Sequence, residues 1–195
     1  SLRACSPSRA RAMICIDART ASAGTHDYET LLAATKPCSD ALRSGEDLAC
    51  IFYTGGTTGR AKGVMLSHRS LWANVVVTAA VLGFDETMVS LHAGPLFHLG
   101  AGARVYTTGV LGGRHVVPES GGFDPDEVLN LGRQLDNVAM FAAPTMVRRL
   151  VDAARKRGEN GEGLRTIIYG GGPMYLADIR DAIATMGQRF VQIYG

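Results

Sequence analysis

A glycine- and threonine-rich loop at residues 54–63 constrains this chain more than any other stretch. The six residues before it, 48–53, are an apolar run that includes Ile, Phe and Tyr, which predicts a short buried strand. After the loop, Ser67 precedes a helical pattern and is a suitable N-cap. A strand, a glycine-hydroxyl loop and a helix in this order predict a phosphate cradle, because glycines let backbone N–H groups approach an anion.

The loop concentrates hydrogen-bond donors, with three threonine hydroxyls and one lysine within nine residues. The alternative is an ordinary glycine-rich surface turn, and the density of donors favours phosphate binding over it. The spacing G-x-x-x-x-G-K-[ST] does not occur in the sequence, which argues against a P-loop ATPase. The residues predicted to bind phosphate are Thr54, Gly55, Gly56, Thr57, Thr58, Gly59 and Lys62.

Beyond the loop, predicted helices and strands alternate along the chain. The helices are predicted at 67–82, 99–111, 125–135, 144–156 and 175–186, and the strands at 87–92, 114–117, 138–142, 164–169 and 190–194. This alternation predicts an α/β fold with a mostly parallel sheet and helices on both of its faces. We expect this domain to cover residues 46–195, after a lead-in and linker at 1–45 that holds one short strand at 13–16 and a short helix at 28–35.

Four chemically unusual segments each follow a predicted strand. They are 54–59, 94–98, 170–173 and 194–195. Right-handed crossovers would bring all of them to one edge of a parallel sheet, and ligands of such sheets bind at the carboxyl ends of the strands. The order of the elements therefore predicts one composite site.

The loop also resembles a known signature. Residues 53–64 read Y-T-G-G-T-T-G-R-A-K-G-V, similar to the AMP-binding motif Y-T-S-G-T-T-G-x-P-K-G-V of the adenylate-forming superfamily, which includes the acyl-CoA synthetases. Gly55 stands where serine is usual, which removes one hydroxyl donor. Ala61 replaces the usual proline and makes the loop less rigid. Neither change removes the backbone donors.

Three more segments resemble motifs of the same superfamily. Pro95-Leu-Phe-His98 is similar to its P-x-F-H segment, which implies that Phe97 and His98 border the acyl substrate. Without the resemblance, His98 would be read as a residue that starts a helix. The other four histidines, His26, His68, His92 and His115, are assigned structural roles.

The resemblance also implies an adenine site made of two segments. Gly170-Gly171-Gly172-Pro173 is similar to the G-G-x-P segment beside the adenine ring, although taken alone it is equally well explained as a stop before the next helix. Tyr194-Gly195 resembles the start of the Y-G-x-T-E motif, in which the tyrosine stacks on adenine.

The activity implied by the resemblance is that of an ATP-dependent carboxylate–CoA ligase. Such an enzyme uses ATP and Mg²⁺ to form an acyl-adenylate, and coenzyme A then converts the adenylate into a thioester. The sequence stops before the Thr and Glu of the last motif, the Glu being the Mg²⁺ ligand, and before the C-terminal domain with its catalytic lysine. We therefore expect part of an N-terminal domain, with no complete catalytic set, no metal ligand and no turnover by itself.

Other functions stay open on the sequence alone. The acid could be an amino or aryl acid, although the motifs favour an acyl-CoA synthetase over a peptide-synthetase adenylation domain. Luciferase-like oxidation is a further possibility within the superfamily. From other classes, a non-catalytic nucleotide-binding module or a purely structural α/β domain would also fit the chain.

Composition limits the classes of partner and the cellular location expected for this protein. A net charge of +2 favours neither nucleic acid nor a membrane surface, and the arginines and lysine within 148–157 are interpreted as a solvated helix face. Four cysteines without C-x-x-C spacing predict reduced thiols and a cytoplasmic protein, and no apolar run approaches the roughly 20 residues of a membrane span. The strand at 190–194 is expected at a sheet edge, which would favour a homodimer.

Overall fold

The computed structural model describes residues 12–16, 24–54 and 61–194. The chain forms two compact units, residues 1–42 and 43–195. The phosphate-loop residues from Gly55 to Gly59, and also Gly195, lie outside the described residues.

The first unit contains two short strands and one helix. Strand β1 (Ile14–Cys15) pairs in parallel with β2 (His26–Asp27), and helix α1 (Tyr28–Ala34) follows directly. Asp27 is the N-cap of α1 because its carboxylate accepts a hydrogen bond from the backbone N–H of Thr30 at 2.8 Å. The short strand and the short helix predicted in the lead-in are both present.

The second unit begins with a β-hairpin. Strand β3 (Leu48–Thr54) pairs antiparallel with β4 (Lys62–Ser67), in a register that sets Thr54 opposite Lys62. Two predictions are therefore wrong: the residues before Ser67 form a strand rather than the end of a loop, and β3 does not join the parallel sheet. β3 is also not buried, since the side chains of Ile51 and Tyr53 are 47% and 71% exposed.

The physical reason is that the segment after the loop is itself a good strand. Val64, Met65 and Leu66 follow the loop at once, and pairing with them satisfies the backbone N–H and C=O groups of β3. The base of the hairpin is closed by two backbone hydrogen bonds, from His68 N to Asp47 O and from Arg69 N to Gly45 O.

Five further strands form one parallel sheet in the order β6-β5-β7-β8-β9. Their bounds are β5 (Val89–Leu91), β6 (Arg114–Val116), β7 (Val138–Ala142), β8 (Leu164–Tyr169) and β9 (Phe190–Gln192). Each lies within or matches a predicted strand. Among the strands that the structure describes, β9 pairs with β8 alone, which is the edge position predicted for it.

Four helices, α3 to α6, connect these strands, and α2 joins the hairpin to β5. Their bounds are α2 (His68–Leu82), α3 (Leu99–Leu111), α4 (Pro125–Leu135), α5 (Pro144–Arg157) and α6 (Leu176–Met186). Ser67 and Asp124 cap α2 and α4 by accepting backbone N–H bonds, as the sequence predicts, and Gly83 ends α2 at a φ of 62°. Among the described residues no helix is long and apolar enough to cross a membrane.

Apolar side chains cover both faces of the sheet. On one face, the buried residues Val138, Met140 and Ala142 of β7 pack with side chains from α4, α5 and α6. On the other face, Ala139 clusters with Phe84 and Met88 and with residues at the ends of α2 and α3. This alternation along β7 confirms a mostly parallel α/β sheet with helices on both faces.

The basic residues within 148–157, on helix α5, form ion pairs with carboxylates of the same chain. Arg155 donates to Asp181 at 2.6 Å, and Arg157 pairs with Asp126 at 3.0 Å and with Glu159 at 2.8 Å. These ion pairs are what a solvated helix face is expected to show, and each contributes little because it lies near water.

Candidate functional site

The hairpin brings the two ends of the glycine-threonine loop together. Thr54 is the last residue of β3 and Lys62 the first of β4, and the two are directly paired. Residues 55–60, between these two strands, lie outside the described residues. The strands on either side of the loop form a separate antiparallel pair, so the prediction that the loop follows a strand of the parallel sheet is wrong.

Side-chain packing nevertheless brings the hairpin against α3. A Cβ added to Gly102 of α3 would lie 3.5 Å from the ring of Phe52 in β3 and 2.6 Å from the carbonyl oxygen of Leu96. Gly102 therefore permits a close approach between α3, the segment before it and the hairpin. The predicted acyl segment at 95–98 consequently lies near the strand that leads into the loop.

Phe97 and His98 lie where α3 begins. His98 is the N-cap of α3 by backbone conformation but its side chain makes no capping hydrogen bond. Its imidazole instead lies against the Phe97 ring, with centroids 4.7 Å apart. Both side chains are exposed, so both are available to a ligand at this edge of the sheet.

The two predicted adenine segments are direct neighbours. A Cβ on Gly170 would come within 2.8 Å of both the carbonyl oxygen and the side chain of Ile193, and Ile193 N donates to Tyr169 O at 2.9 Å. Gly170 therefore lets the end of β8 lie directly beside the segment that carries Tyr194. The Tyr194 ring is fully exposed, as a ring that stacks on a ligand requires.

The remaining glycines of this segment have different surroundings. Gly171 has a φ of 77°, and a Cβ there would meet no atom within 4 Å. A Cβ added to Gly172 would lie 3.7 Å from the Pro144 ring, at the start of α5. The carboxyl ends of β7, β8 and β9 therefore converge around residues 170–173, as predicted for the segments that follow strands of the parallel sheet.

A pair formed by the buried His92 and the exposed His115 was missed as a site feature by sequence reasoning. His92 follows β5 and is 8% exposed, and its Nε2 lies 2.8 Å from Nδ1 of His115 in β6. Burial, and secondarily the nearby His115, lower the pKa of His92. His92 also lines a cavity of about 250 Å³ together with Phe123 and Met146. The signal that could have found the pair is the β5-crossover-β6 unit, which makes the two strands neighbours.

This histidine pair predicts acid sensitivity of the fold. Because the folded state disfavours the charged form of His92, stability is complete above the ordinary pKa of 6.5 and falls as pH is lowered from there towards the depressed pKa. We expect His92→Gln to flatten this part of the profile of unfolding free energy against pH. The same acid loss in His92→Gln and in the unmodified protein, measured by urea denaturation at several pH values, would contradict this account.

The family of the chain follows from comparison with known proteins. The model of the AMP-binding enzyme family matches residues 1–195. The chain belongs to the AMP-binding enzyme family. The match includes residues 1–46, which carry none of the motifs found in the sequence, so the family extends further towards the N-terminus than the motifs indicate.

Individual relatives within the family are CoA ligases by name. A feruloyl-CoA synthase from Amycolatopsis sp is 35% identical over 150 residues, which cover 77% of this chain and 30% of the relative. A medium/long-chain-fatty-acid–CoA ligase, FadD8 of Mycobacterium tuberculosis, is 29% identical over 177 residues, covering 90% of this chain and 29% of the relative. The chain thus spans less than a third of the length of these relatives.

Solved structures share the fold. The ATP-bound crystal structure of MatB from Rhodopseudomonas palustris superposes with a TM-score of 0.74 at 28% identity, covering 88% of this chain and 34% of that one. An inhibitor-bound N-terminal domain of FACL13 from Mycobacterium tuberculosis gives a TM-score of 0.72 at 25% identity, covering 86% and 41%. The resemblance stated from the sequence is therefore confirmed.

Proposed function

We propose that this chain is part of an ATP-dependent carboxylate–CoA ligase, in which it forms most of the nucleotide and acyl sites. The observation that carries the proposal is the T-G-G-T-T-G sequence between two antiparallel strands, in which Thr54 is paired with Lys62. Its support is the family membership and the CoA-ligase names of the relatives.

The proposed reaction has two steps. A carboxylate oxygen attacks the α-phosphorus of ATP, the bond to the bridging oxygen breaks, and pyrophosphate leaves with its electron pair. The sulfur of coenzyme A then attacks the acyl carbonyl carbon, AMP leaves, and the thiol proton passes to solvent. Both steps depend mainly on positioning and on stabilisation of phosphate charge.

The loop would hold the leaving pyrophosphate. The hydroxyls of Thr54, Thr57 and Thr58 and the backbone N–H groups of Gly55, Gly56 and Gly59 are the proposed donors, and Lys62 supplies a positive charge. A glycine-rich loop suits this role because its neighbouring backbone N–H groups can form an anion-binding concavity.

The carboxyl edge of the sheet would hold the adenine and the acid. Gly170, Gly171, Gly172 and Pro173 would present backbone to the flat adenine ring, and Tyr194, with Gly195 after it in the sequence, would stack on that ring. Phe97 and His98 would border the acyl group. The contact between Gly170 and Ile193 supports this division, since it joins the two adenine segments into one surface.

The described residues supply no donor set for Mg²⁺. Among them no group of three or more histidine, cysteine or acidic side chains could hold a metal ion. We therefore assign Mg²⁺ to no residue of this chain and place no reaction step on it.

We also propose that residues 46–195 form the AMP-binding unit and that this unit has no turnover by itself. A homodimer and a cytoplasmic location stay predictions.

The test is acid-dependent exchange of labelled pyrophosphate into ATP by the whole polypeptide that contains this chain. A panel of aryl, fatty and dicarboxylic acids covers the acids in the names of the relatives and of a solved malonyl-CoA ligase, which is similar to this chain in structure. At least one acid is expected to support exchange. AMP binding without exchange for any acid would instead favour a non-catalytic nucleotide-binding module.

A further inference from the structure

Helix α3 buries polar side chains and exposes apolar ones. Its larger apolar residues Val105 and Val110 are exposed. The residues that it buries are small or polar: Ala101, Gly102, Arg104, Thr107 and Thr108. A helix at the surface of a domain ordinarily turns its apolar side chains towards the core. The polar face of α3 therefore needs polar partners inside the fold.

Arg104 is a buried cation without a counter-ion among the described residues. It is 7% exposed, and its Nη1 atom is enclosed and has no hydrogen-bond partner there. Six polar or charged side chains are buried in the described part of the chain, and none of them is an aspartate or a glutamate. Burial lowers the pKa of Arg104, but a guanidinium group keeps its charge at physiological pH. A buried charge is unfavourable unless a partner balances it.

The end of helix α2 balances this charge only in part. The guanidinium carbon of Arg104 lies 6.0 Å from the centroid of the Phe84 ring, and Phe84 directly follows Gly83, which ends α2. A ring at this distance is at the limit of a cation–π contact, and a helix C-terminus carries about half a negative charge. Arg165 also donates to the carbonyl oxygen of Gly83 at 2.9 Å, so two cations share this helix end.

Two enclosed hydroxyl groups lie in the same layer between α3 and the sheet. Thr108 is one turn after Arg104, on the same face of α3. Ser90 of β5 pairs in register with Ala139, which belongs to the apolar cluster on the α2 and α3 side, so Ser90 points to that side as well. Neither Ser90 Oγ nor Thr108 Oγ1 has a hydrogen-bond partner within the described ranges.

The packing places Arg104 and Ser90 at the same level of this layer. A Cβ on Gly113 would lie 2.7 Å from Met88 Cγ and 3.2 Å from Thr108 Cγ2, so Thr108 is level with Met88, which precedes β5. Helix α3 runs antiparallel to β5, because it returns the chain from the end of β5 to the start of the parallel strand β6. One helical turn is about 6 Å and two strand residues about 7 Å, so Arg104 comes level with Ser90.

We propose that Arg104, Ser90 and Thr108 enclose a monovalent inorganic anion of the chloride class between α3 and β5. All three side chains can donate hydrogen bonds to an anion. A water molecule would satisfy the hydroxyls but would leave the charge of Arg104 unbalanced. Because the described residues themselves enclose Nη1, a carboxylate of another segment would reach it only after a change in packing. This inference is independent of the proposed ligase function.

The first experiment measures thermal unfolding of the whole polypeptide that contains this chain, in sodium chloride and in sodium gluconate of equal ionic strength. Gluconate is too large to be enclosed, so chloride is expected to raise the unfolding temperature by about 3 °C, in a saturable way. In Arg104→Met, which removes the charge and keeps a long apolar side chain, this difference disappears. Arg180→Met, which removes an exposed arginine from α6, is the matched control and keeps the difference.

Two conservative variants test the hydroxyl groups while the charge stays in place, and they decide the question if Arg104→Met does not fold. Ser90→Ala and Thr108→Val each remove one donor. Each is expected to raise the chloride concentration that gives half of the effect about tenfold, the effect of one hydrogen bond to a charged group. An unchanged half-effect concentration in both variants overturns the site.

Anomalous diffraction from crystals of the whole polypeptide in sodium bromide locates the anion directly. A bromide peak beside Arg104 Nη1 is expected, and peaks only at exposed arginines overturn the proposal. An equal chloride effect in the unmodified protein and in Arg104→Met also overturns it, because the anion then binds elsewhere. So does the absence of any chloride effect in the unmodified protein. If Arg104→Met is then strongly destabilised in both salts, the partner of Arg104 is a carboxylate outside the described residues.

Discussion

Gly163→Ala is expected to cost about 3–4 kcal/mol of folding free energy, a large fraction of the stability of a typical domain. Gly163 has a φ of 77°, and a Cβ there would overlap the carbonyl oxygen of Gly132 in α4. The carbonyl of Gly163 also accepts the hydrogen bond from Val138 N at the start of β7. The chain must therefore move α4 away from a core in which Val128 and Leu129 are completely buried.

A matched glycine separates steric overlap from backbone strain. Gly158 ends α5 at a φ of 67°, and a Cβ there would meet no atom within 4 Å, so Gly158→Ala is expected to cost about 1 kcal/mol. Urea denaturation of the two variants, followed by circular dichroism, measures the difference. Equal losses in both would mean that α4 and the Gly163 turn do not pack as described.

Thr58→Ala in the whole polypeptide is expected to lower acid-dependent pyrophosphate exchange about 10- to 100-fold. The Thr58 hydroxyl is proposed to donate a hydrogen bond to a charged phosphate oxygen, and charge-assisted hydrogen bonds contribute about 1.5–3 kcal/mol. The loss should appear mainly in the rate of exchange, because the bond matters most while charge develops on the leaving pyrophosphate.

The control removes a threonine hydroxyl that lies outside the site. Thr35 ends α1, is exposed, and donates to the carbonyl of Leu31, so Thr35→Ala should leave exchange unchanged. Unchanged exchange in Thr58→Ala as well would remove the pyrophosphate role from this hydroxyl. A similar decrease in both variants would point to a general loss of folding.

Most of the parallel sheet could be predicted because local signals and tertiary structure agree there. Asp124 and Pro125 start α4, Gly83 ends α2, and the apolar run of β7 needs both faces covered. The hairpin could not be predicted in the same way. The hydrophobic pattern of a short apolar run is the same in a buried central strand and in one strand of a hairpin. The partner of β3 lies after the loop and was not predicted as a strand.

The candidate site was also predictable only in part. The motifs indicated the segments at 95–98, 170–173 and 194, and because residues after parallel strands share one edge of a sheet, the order of the elements predicted that these segments lie at that edge. The contact of His92 with His115 depends on which strands are neighbours and how their side chains point, and the cavity that His92 lines depends on packing. No local sequence pattern predicts either the histidine contact or the cavity, so both could be found only in the tertiary structure.

The central claim is tested most directly by mixing the whole polypeptide with ATP, coenzyme A and an acid that supports exchange, and then measuring every product. The account predicts that AMP, pyrophosphate and acyl-CoA thioester appear in equal amounts, and that omission of the acid abolishes all three. AMP and pyrophosphate released without thioester would contradict the assignment of coenzyme A as the acceptor. No acid-dependent product of any kind would contradict the ligase itself.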